Sequence, residues 1–295
     1  MAVASERSTS YRSSAVRPRP FTLVRQGIGE LLSRRRLIRY LVQADLKKKG
    51  TDTLLGNVWW VVDPLLQMLV YVILVSVIFA RPQPDYALFV FSAILPWKWF
   101  NSSITDGIAS VVGMERIIKQ INFPKLVLPV AAVLAGIANF FFGLITLAVM
   151  IALFYPDRAS LWLLTIPIVA AVQLLMTLPI ALVVAAVNVF YRDVGNVARH
   201  VLRLFFYVSP GIYSVELIQK AAEHYPFLKI FLVANPWVVL FTSYHNIIYG
   251  GPDGKTPPSA PEWGGLAIVS IVSLLLLAGA ILFFKRLEPT FAKVL

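Results

Sequence analysis

GMERIIKQINFPKLVLP, residues 113–129, is a short charged stretch bracketed by glycine and proline in a chain that is 58 % hydrophobic. The residues before it, from about 87 to 110, are almost continuously apolar, and those from 126 to 154 are apolar again. A helix needs about 20 such residues to cross a hydrocarbon core about 30 Å thick. The charged stretch is therefore expected to stand outside the apolar phase, where something else reads it.

The remainder of the chain fits that reading. Mean hydropathy is +0.73 and only 14 % of residues are charged, far from the composition of a soluble domain. Six stretches are long and apolar enough to span, near 58–80, 87–110, 126–154, 161–190, 201–217 and 264–284. Their apolar runs are continuous, with no period-two alternation, so the spans are helices rather than barrel strands. The predicted fold class is an all-α integral membrane protein with six transmembrane helices, residues 58–295. With no cysteine, disulfides and thiolate metal sites are excluded. The first 57 residues have no early apolar core, so a cleavable signal peptide is not expected.

Basic residues set the orientation, because positively charged flanks stay cytoplasmic. Residues 1–57 hold 12 Lys and Arg. Arg116, Lys119 and Lys125 follow the second span; Arg192, Arg199 and Arg203 follow the fourth; Lys285, Arg286 and Lys293 follow the last. The opposite side holds Arg81, Arg158, Lys220, Lys229 and Lys255. Both termini and the 113–129 stretch are thus expected on the cytoplasmic side of a membrane that the chain crosses several times. The same rule, together with anionic lipid, accounts for the net charge of +12 without nucleic acid as a partner.

Residues 1–20, rich in Ser, Arg and Pro, read as a disordered basic tail. In the region 21–57, Val24, Ile28, Leu31 and Leu32 fall on one helical face, followed by Ile38, Leu41 and Val42, among many cations. Such a helix lies along the membrane surface, in contact with lipid. On the outer side, apolar pieces at about 227–234 and 237–249 are too short to span alone, and ANPW separates them. They read as re-entrant or interfacial helices before the last span.

Residues 250–256, GGPDGKT, end like a phosphate loop, but the glycine required five positions before Gly254 is Tyr249. No nucleotide cofactor is expected in this chain. His200, His224 and His245 lie far apart, so no metal site is expected.

Charges inside spans are more informative, since each costs a few kcal/mol unless it faces protein or water. Asp63 lies one turn into the first span, within reach of the interface. Lys98 sits mid-span in LPWKWFNSSITD. With Ser102 and Thr105 it forms one polar face, which Asn101 and Asp106 widen. Trp97 and Trp99 flank it, and aromatic faces stack on sugar rings. Such a face points at a bundle interior or a wet path, and a path lined by these groups would suit carbohydrate, with Lys98 attracting anionic groups.

Four runs carry a family resemblance: DLKKKGTDTLLGNVWWVVDPLLQ (45–67), RIIKQINFPKLVLP (116–129), FYRDVGNVARHVLRLFFYVSP (190–210) and NPWVVLFTSYHNIIYGG (235–251). In this order the chain resembles the membrane subunit of bacterial ABC exporters for surface polysaccharides, the type-2 exporters of O-antigen, teichoic acid and capsule. The resemblance covers residues 21–295 and departs from the family in its longer Arg/Pro-rich tail and at Lys98, to which the resemblance assigns no role. It implies a homodimeric, non-enzymatic permease that moves a lipid-linked or surface polysaccharide outward, driven by two copies of a separate ATPase subunit that bind ATP and Mg. It also implies that residues 113–125 form a coupling helix lying across the ATPase groove. Gly113 and Pro124 would bracket that helix. Ile117, Ile118 and Ile121 would fill an apolar cleft, while Glu115, Arg116 and Lys119 set register.

The competing reading is a membrane-embedded enzyme acting on lipid-linked sugars. It requires convergent acids or histidines near one interface. Asp63, Asp106, Glu115 and Asp193 lie toward one side, but no pair has helical spacing and none has a histidine beside it. An ion-coupled transporter would want inverted repeats, and no internal repeat is visible.

Overall fold

The computed structural model describes residues 19–50, 56–80, 83–251 and 254–295; the basic tail expected at 1–20 lies almost wholly outside the described residues. Among the described residues every regular element is helical. The chain is an all-α, multi-pass membrane protein. Four helices are long and apolar enough to cross a bilayer, and a fifth arises if one bent pair is taken as a single span.

Two helices precede the bundle, α1 (Pro20–Ser33) and α2 (Arg35–Gly50), broken at Arg34. Proline opens α1, where its missing N–H leaves no bond unmade. α1 packs on the rest of the protein through Leu23 and Gly27, while Ile28 and Leu32 stay exposed. The apolar face expected from the sequence is divided: Leu31, Ile38 and Leu41 pack part-buried against the core, while Ile28 and Leu32 are open.

α3 (Trp59–Val72) continues as a π-helical turn over Ile73–Ile78. α4 (Tyr86–Val112) has 27 residues but is too polar to count among the four apolar spans, since Lys98, Asn101, Ser102 and Asp106 interrupt it. It is nonetheless the most enclosed helix, packed against α3, α6 (Val127–Phe154), α7 (Ile166–Phe190), α8 (Val194–Val208) and α11 (Pro236–Ile248). A polar helix can occupy the centre because its neighbours, not lipid, meet its polar groups.

Close approach of α4 and α6 depends on two glycines one heptad apart. A Cβ on Gly136 would lie 2.7 Å from Ser103 Oγ, and one on Gly143 would lie 2.4 Å from Leu95 Cδ2. With no hydrophobic drive between helices in lipid, such backbone proximity is what makes them associate. Gln173 of α7, fully buried, ties three helices together: its Nε2 donates to Pro96 O at 2.8 Å, and Tyr244 Oη donates to its Oε1 at 3.0 Å.

Residues 201–217 do not form the single span expected of them. α8 ends at Val208, and α9 (Val215–His224) begins only after a turn. Pro210 lacks an amide donor and keeps Ser209 out of the helical region (φ −81, ψ 147). The Tyr213 hydroxyl donates to Tyr207 O and Val208 O, so the severed helix end is satisfied. α8, at 15 residues, is about 22 Å long and too short to cross alone.

The two short apolar pieces expected beyond it are present. α10 (Phe227–Ala234) and α11 are bent by 69° at Asn235. Asn235 explains the ANPW sequence physically: its Oδ1 caps α11 by accepting from Trp237 N at 3.0 Å, and Pro236 supplies the pre-set first helical residue. Its Nδ2 donates to Ser209 Oγ at 2.9 Å, so the end of α8 meets the start of α11.

The last helix, α12 (Trp263–Val294), runs 32 residues, ten beyond the expected end of its span. Its C-terminal part packs against α1 and α5 (Glu115–Gln120). The N-terminal helices, α5 and the C-terminus thus gather at one end of the bundle. At the opposite end Arg158 is buried and binds four partners. It donates to Tyr249 O at 2.8 Å, Thr256 O at 3.0 Å, Asp85 Oδ2 at 3.0 Å, and Gly254 O.

Candidate functional site

Two features follow from this packing: an open polar groove on one flank of the bundle and a short helix at the terminal end. The cavity, about 510 Å³, lies between α3, α4 and α8. The polar face expected on α4 lines it, with Trp97, Lys98, Asn101, Ser102 and Thr105 all present. α3 adds Asp63, Gln67 and Tyr71, and α8 adds Arg199, Arg203 and Tyr207.

Lys98 Nζ donates to Asp63 Oδ2 across the cavity wall. Asp63 thus has a cationic partner on the neighbouring helix while its side chain stays 62 % exposed. Asp106, expected to widen the same face, points elsewhere and accepts from Lys49 Nζ of α2 at 2.6 Å. Burial pulls the Lys49 ammonium down, but Asp106 and Asp45 together outweigh it and raise it above the ordinary lysine value. This pair fastens α2 to α4.

Trp97 and Trp99 are placed differently from the stacking surfaces expected of them. They are 5 % and 2 % exposed. Trp97 packs edge-on to Trp237 at 4.9 Å and against Phe206 at 5.1 Å, while Trp99 stacks on Phe140 at 4.9 Å. Their rings already touch protein aromatics, so they stiffen the wall and leave the polar side chains to face the cavity. Trp99 borders a second cavity of about 390 Å³, between α3, α4 and α6.

The arginines of α8 were read from sequence as positively charged flank. Asn196, Arg199, Arg203 and Tyr207 recur at helical spacing through an otherwise apolar helix, a stripe that could have shown their common face. Arg199 donates to Asn196 Oδ1, and among the described residues no carboxylate pairs with Arg199 or Arg203. Three cations against one carboxylate leave the cavity with positive charge, suited to anions in a medium that screens little.

α5 is the second feature. It begins after Gly113 and is only six residues long. Its end is set three residues before Pro124, where Ile121 turns extended (φ −125, ψ 132), so the proline follows the helix without terminating it. The three isoleucines divide. Ile118 is 4 % exposed and packs into the protein's own core beside Val127, Phe284 and Phe291. Ile117 and Ile121 are 43 % and 58 % exposed and face outward with Arg116. Lys119 Nζ donates to Glu115 Oε1 at 2.7 Å and holds that carboxyl below the usual carboxylate range.

Behind α5, Glu288 Oε1 accepts from Lys125 N at 2.6 Å. Its other oxygen accepts from Lys285 Nζ at 2.6 Å, and Lys285 also donates to both oxygens of Glu30 at 2.9 Å. One buried cluster therefore joins α1, the chain after α5, and α12. Among the described residues no group of three or more His, Cys, Asp or Glu is placed to hold a metal ion.

A helical membrane bundle with a cationic, hydroxyl-lined groove and an outward-facing helix at one end is consistent with a transport subunit. No protein-family model matches the chain. Comparison with curated proteins identifies relatives that match most of its length. An O-antigen export system permease protein RfbA from Myxococcus xanthus is 32 % identical over 261 residues, covering 88 % of this chain and 96 % of that protein. Two proteins of the same name from Klebsiella pneumoniae are 28 % and 24 % identical, each over 88 % of this chain and 95 % of their own length. The chain belongs to the family of O-antigen export permeases.

Proposed function

We propose that this protein is the membrane-spanning permease of an ATP-driven exporter that moves an O-antigen-type, lipid-linked polysaccharide out of the cytoplasm. The observation that carries this reading is the open groove walled by Lys98, Asn101, Ser102, Thr105, Arg199 and Arg203, a polar and cationic strip on a bundle whose other exposed helix faces are largely apolar. Hydroxyls and amides suit sugar hydroxyls, and the cations suit phosphate groups on the carrier.

The permease works as a homodimer in the inner membrane with both termini cytoplasmic. Helix parity supports both termini lying on one side of the membrane. α1 and the C-terminal part of α12 lie at one end. α3, α4, α6, α7 and α12 supply five passages, so the stretch through α8 to α11 supplies a net sixth. ATP and Mg are bound by two copies of a separate ATPase, which dock on Ile117 and Ile121. Closure of the ATPases pushes α5, and the Glu288 cluster passes that movement to α12 and α1.

Deletion of the gene should abolish surface polysaccharide while the lipid-linked precursor accumulates inside. Purified permease should hydrolyse ATP only when combined with its ATPase. Hydrolysis by the isolated chain, or normal surface polysaccharide in the deletion strain, would overturn the reading.

A further inference from the structure

Asp63, Lys98 and Ser102 each line both of two adjoining open cavities. The smaller cavity is walled largely by aromatic side chains, Trp59, Trp60, Trp99 and Phe140, with Trp59 44 % exposed at its rim. Its only charges are Lys98 and Asp63, which cancel. The larger cavity adds Arg199 and Arg203 with no further carboxylate. The ion pair thus stands at the boundary between a neutral aromatic chamber and a cationic one.

We infer that the Lys98–Asp63 pair is a displaceable closure between the two cavities, and that the group which opens it is the phosphate or pyrophosphate of a membrane lipid. The closure consists of two side chains, so opening it requires rotamer changes and no movement of helices. Asp63 is 62 % exposed, and an ion pair that wet is held weakly. A pyrophosphate brings more charge and more acceptor oxygens than one carboxylate, so it competes for Lys98. The lipid tail lies against the aromatic chamber, where apolar area is buried. Once Lys98 has turned to the headgroup, the freed Asp63 carboxylate repels it while Arg199 and Arg203 attract it, so the field across the boundary points one way. This inference rests on the permease reading for its direction of travel, but the site is tested on the permease alone.

The test uses the purified full chain in dodecyl maltoside, a detergent without phosphate, with farnesyl pyrophosphate, farnesol and inorganic pyrophosphate as probes and tryptophan fluorescence as readout. Farnesyl pyrophosphate should bind at least tenfold tighter than either other probe. Asp63→Asn removes the competitor and should tighten its binding at least threefold. Lys98→Gln should weaken it at least tenfold, and Lys98→Arg should stay within threefold of the native chain. The double variant Asp63→Asn/Lys98→Gln restores a neutral pair, so it should unfold at the native temperature yet bind as poorly as Lys98→Gln. Weaker binding by Asp63→Asn, or unchanged binding by Lys98→Gln or the double variant, overturns the closure. Equal binding of inorganic pyrophosphate assigns the site to a soluble anion, and equal binding of farnesol assigns it to the tail alone; either overturns the lipid headgroup. A missing ATPase response would sink the exporter reading and leave these affinities untouched.

Discussion

Lys98 on α4 donates to Asp63 on α3, two charges 35 residues apart that each interrupt an otherwise apolar span. Alone, either would cost several kcal/mol inside a bilayer. Together they cancel at the wall of a wet cavity. Because Asp63 is largely exposed to that cavity, their mutual contribution to stability should be small. A double-mutant cycle with Lys98→Met and Asp63→Leu, read by thermal unfolding in detergent, should return a coupling of about 1 kcal/mol or less. A coupling above about 3 kcal/mol would mark a dry, structural pair instead.

The divided isoleucines of α5 separate docking from folding. Ile117→Asp should leave the unfolding temperature of the permease unchanged and reduce capture of the ATPase at least tenfold, since the charge enters an apolar cleft on the partner. Ile118→Asp buries its carboxylate in the protein's own core and should destabilise the permease by about 3 kcal/mol or more. If both variants unfold alike and capture the ATPase alike, α5 is not the docking helix.

Arg158 holds the opposite end together through three backbone carbonyls and Asp85. The loop it binds has Gly250 at φ +96, where a Cβ would meet Thr256 O at 2.2 Å, and Gly254 at φ +65. Arg158→Lys keeps the charge but cannot reach several carbonyls at once, so it should cost about 2 kcal/mol. Amide exchange at residues 249–256 should accelerate in this variant and stay unchanged around α5.

Lys285 and Glu288 are almost wholly buried, and Glu30 is mostly so. Glu288→Ala strands the Lys285 ammonium and frees the amide of Lys125. We expect a loss of about 3 kcal/mol and faster amide exchange in α1. In the assembled exporter, ATP hydrolysis should persist while transport falls, because the link from α5 to α12 is cut. Transport and hydrolysis falling in strict proportion would argue against that link.

Much of this architecture was legible because its signals are local. Apolar run length marked α3, α6, α7 and α12, and two short apolar pieces separated by Asn-Pro marked the bent pair α10 and α11. The polar face of Lys98, Ser102 and Thr105 followed from helical period alone, and those three residues share one cavity with Asn101. The break in 201–217 was also written locally, in Ser209-Pro210-Gly211, but hydropathy averaged over a span conceals a helix breaker.

By itself the sequence determined that this is a helical membrane protein, where its main spans lie, and which charged segment stands outside them. Those properties depend on how each stretch partitions between water and hydrocarbon, which is a property of the stretch. Only the tertiary structure decided that Asp63 meets Lys98, that Asp106 turns to Lys49, that Arg158 binds residues 85, 249, 254 and 256, and that Ile118 packs inward while Ile117 does not. It also decided that Trp97 and Trp99 spend their faces on Trp237, Phe206 and Phe140. Each of these depends on which helices become neighbours and at what rotation. In a bilayer, where apolarity does not distinguish one spanning helix from another, that choice rests on close packing at positions such as Gly136 and Gly143 and on polar groups finding distant partners.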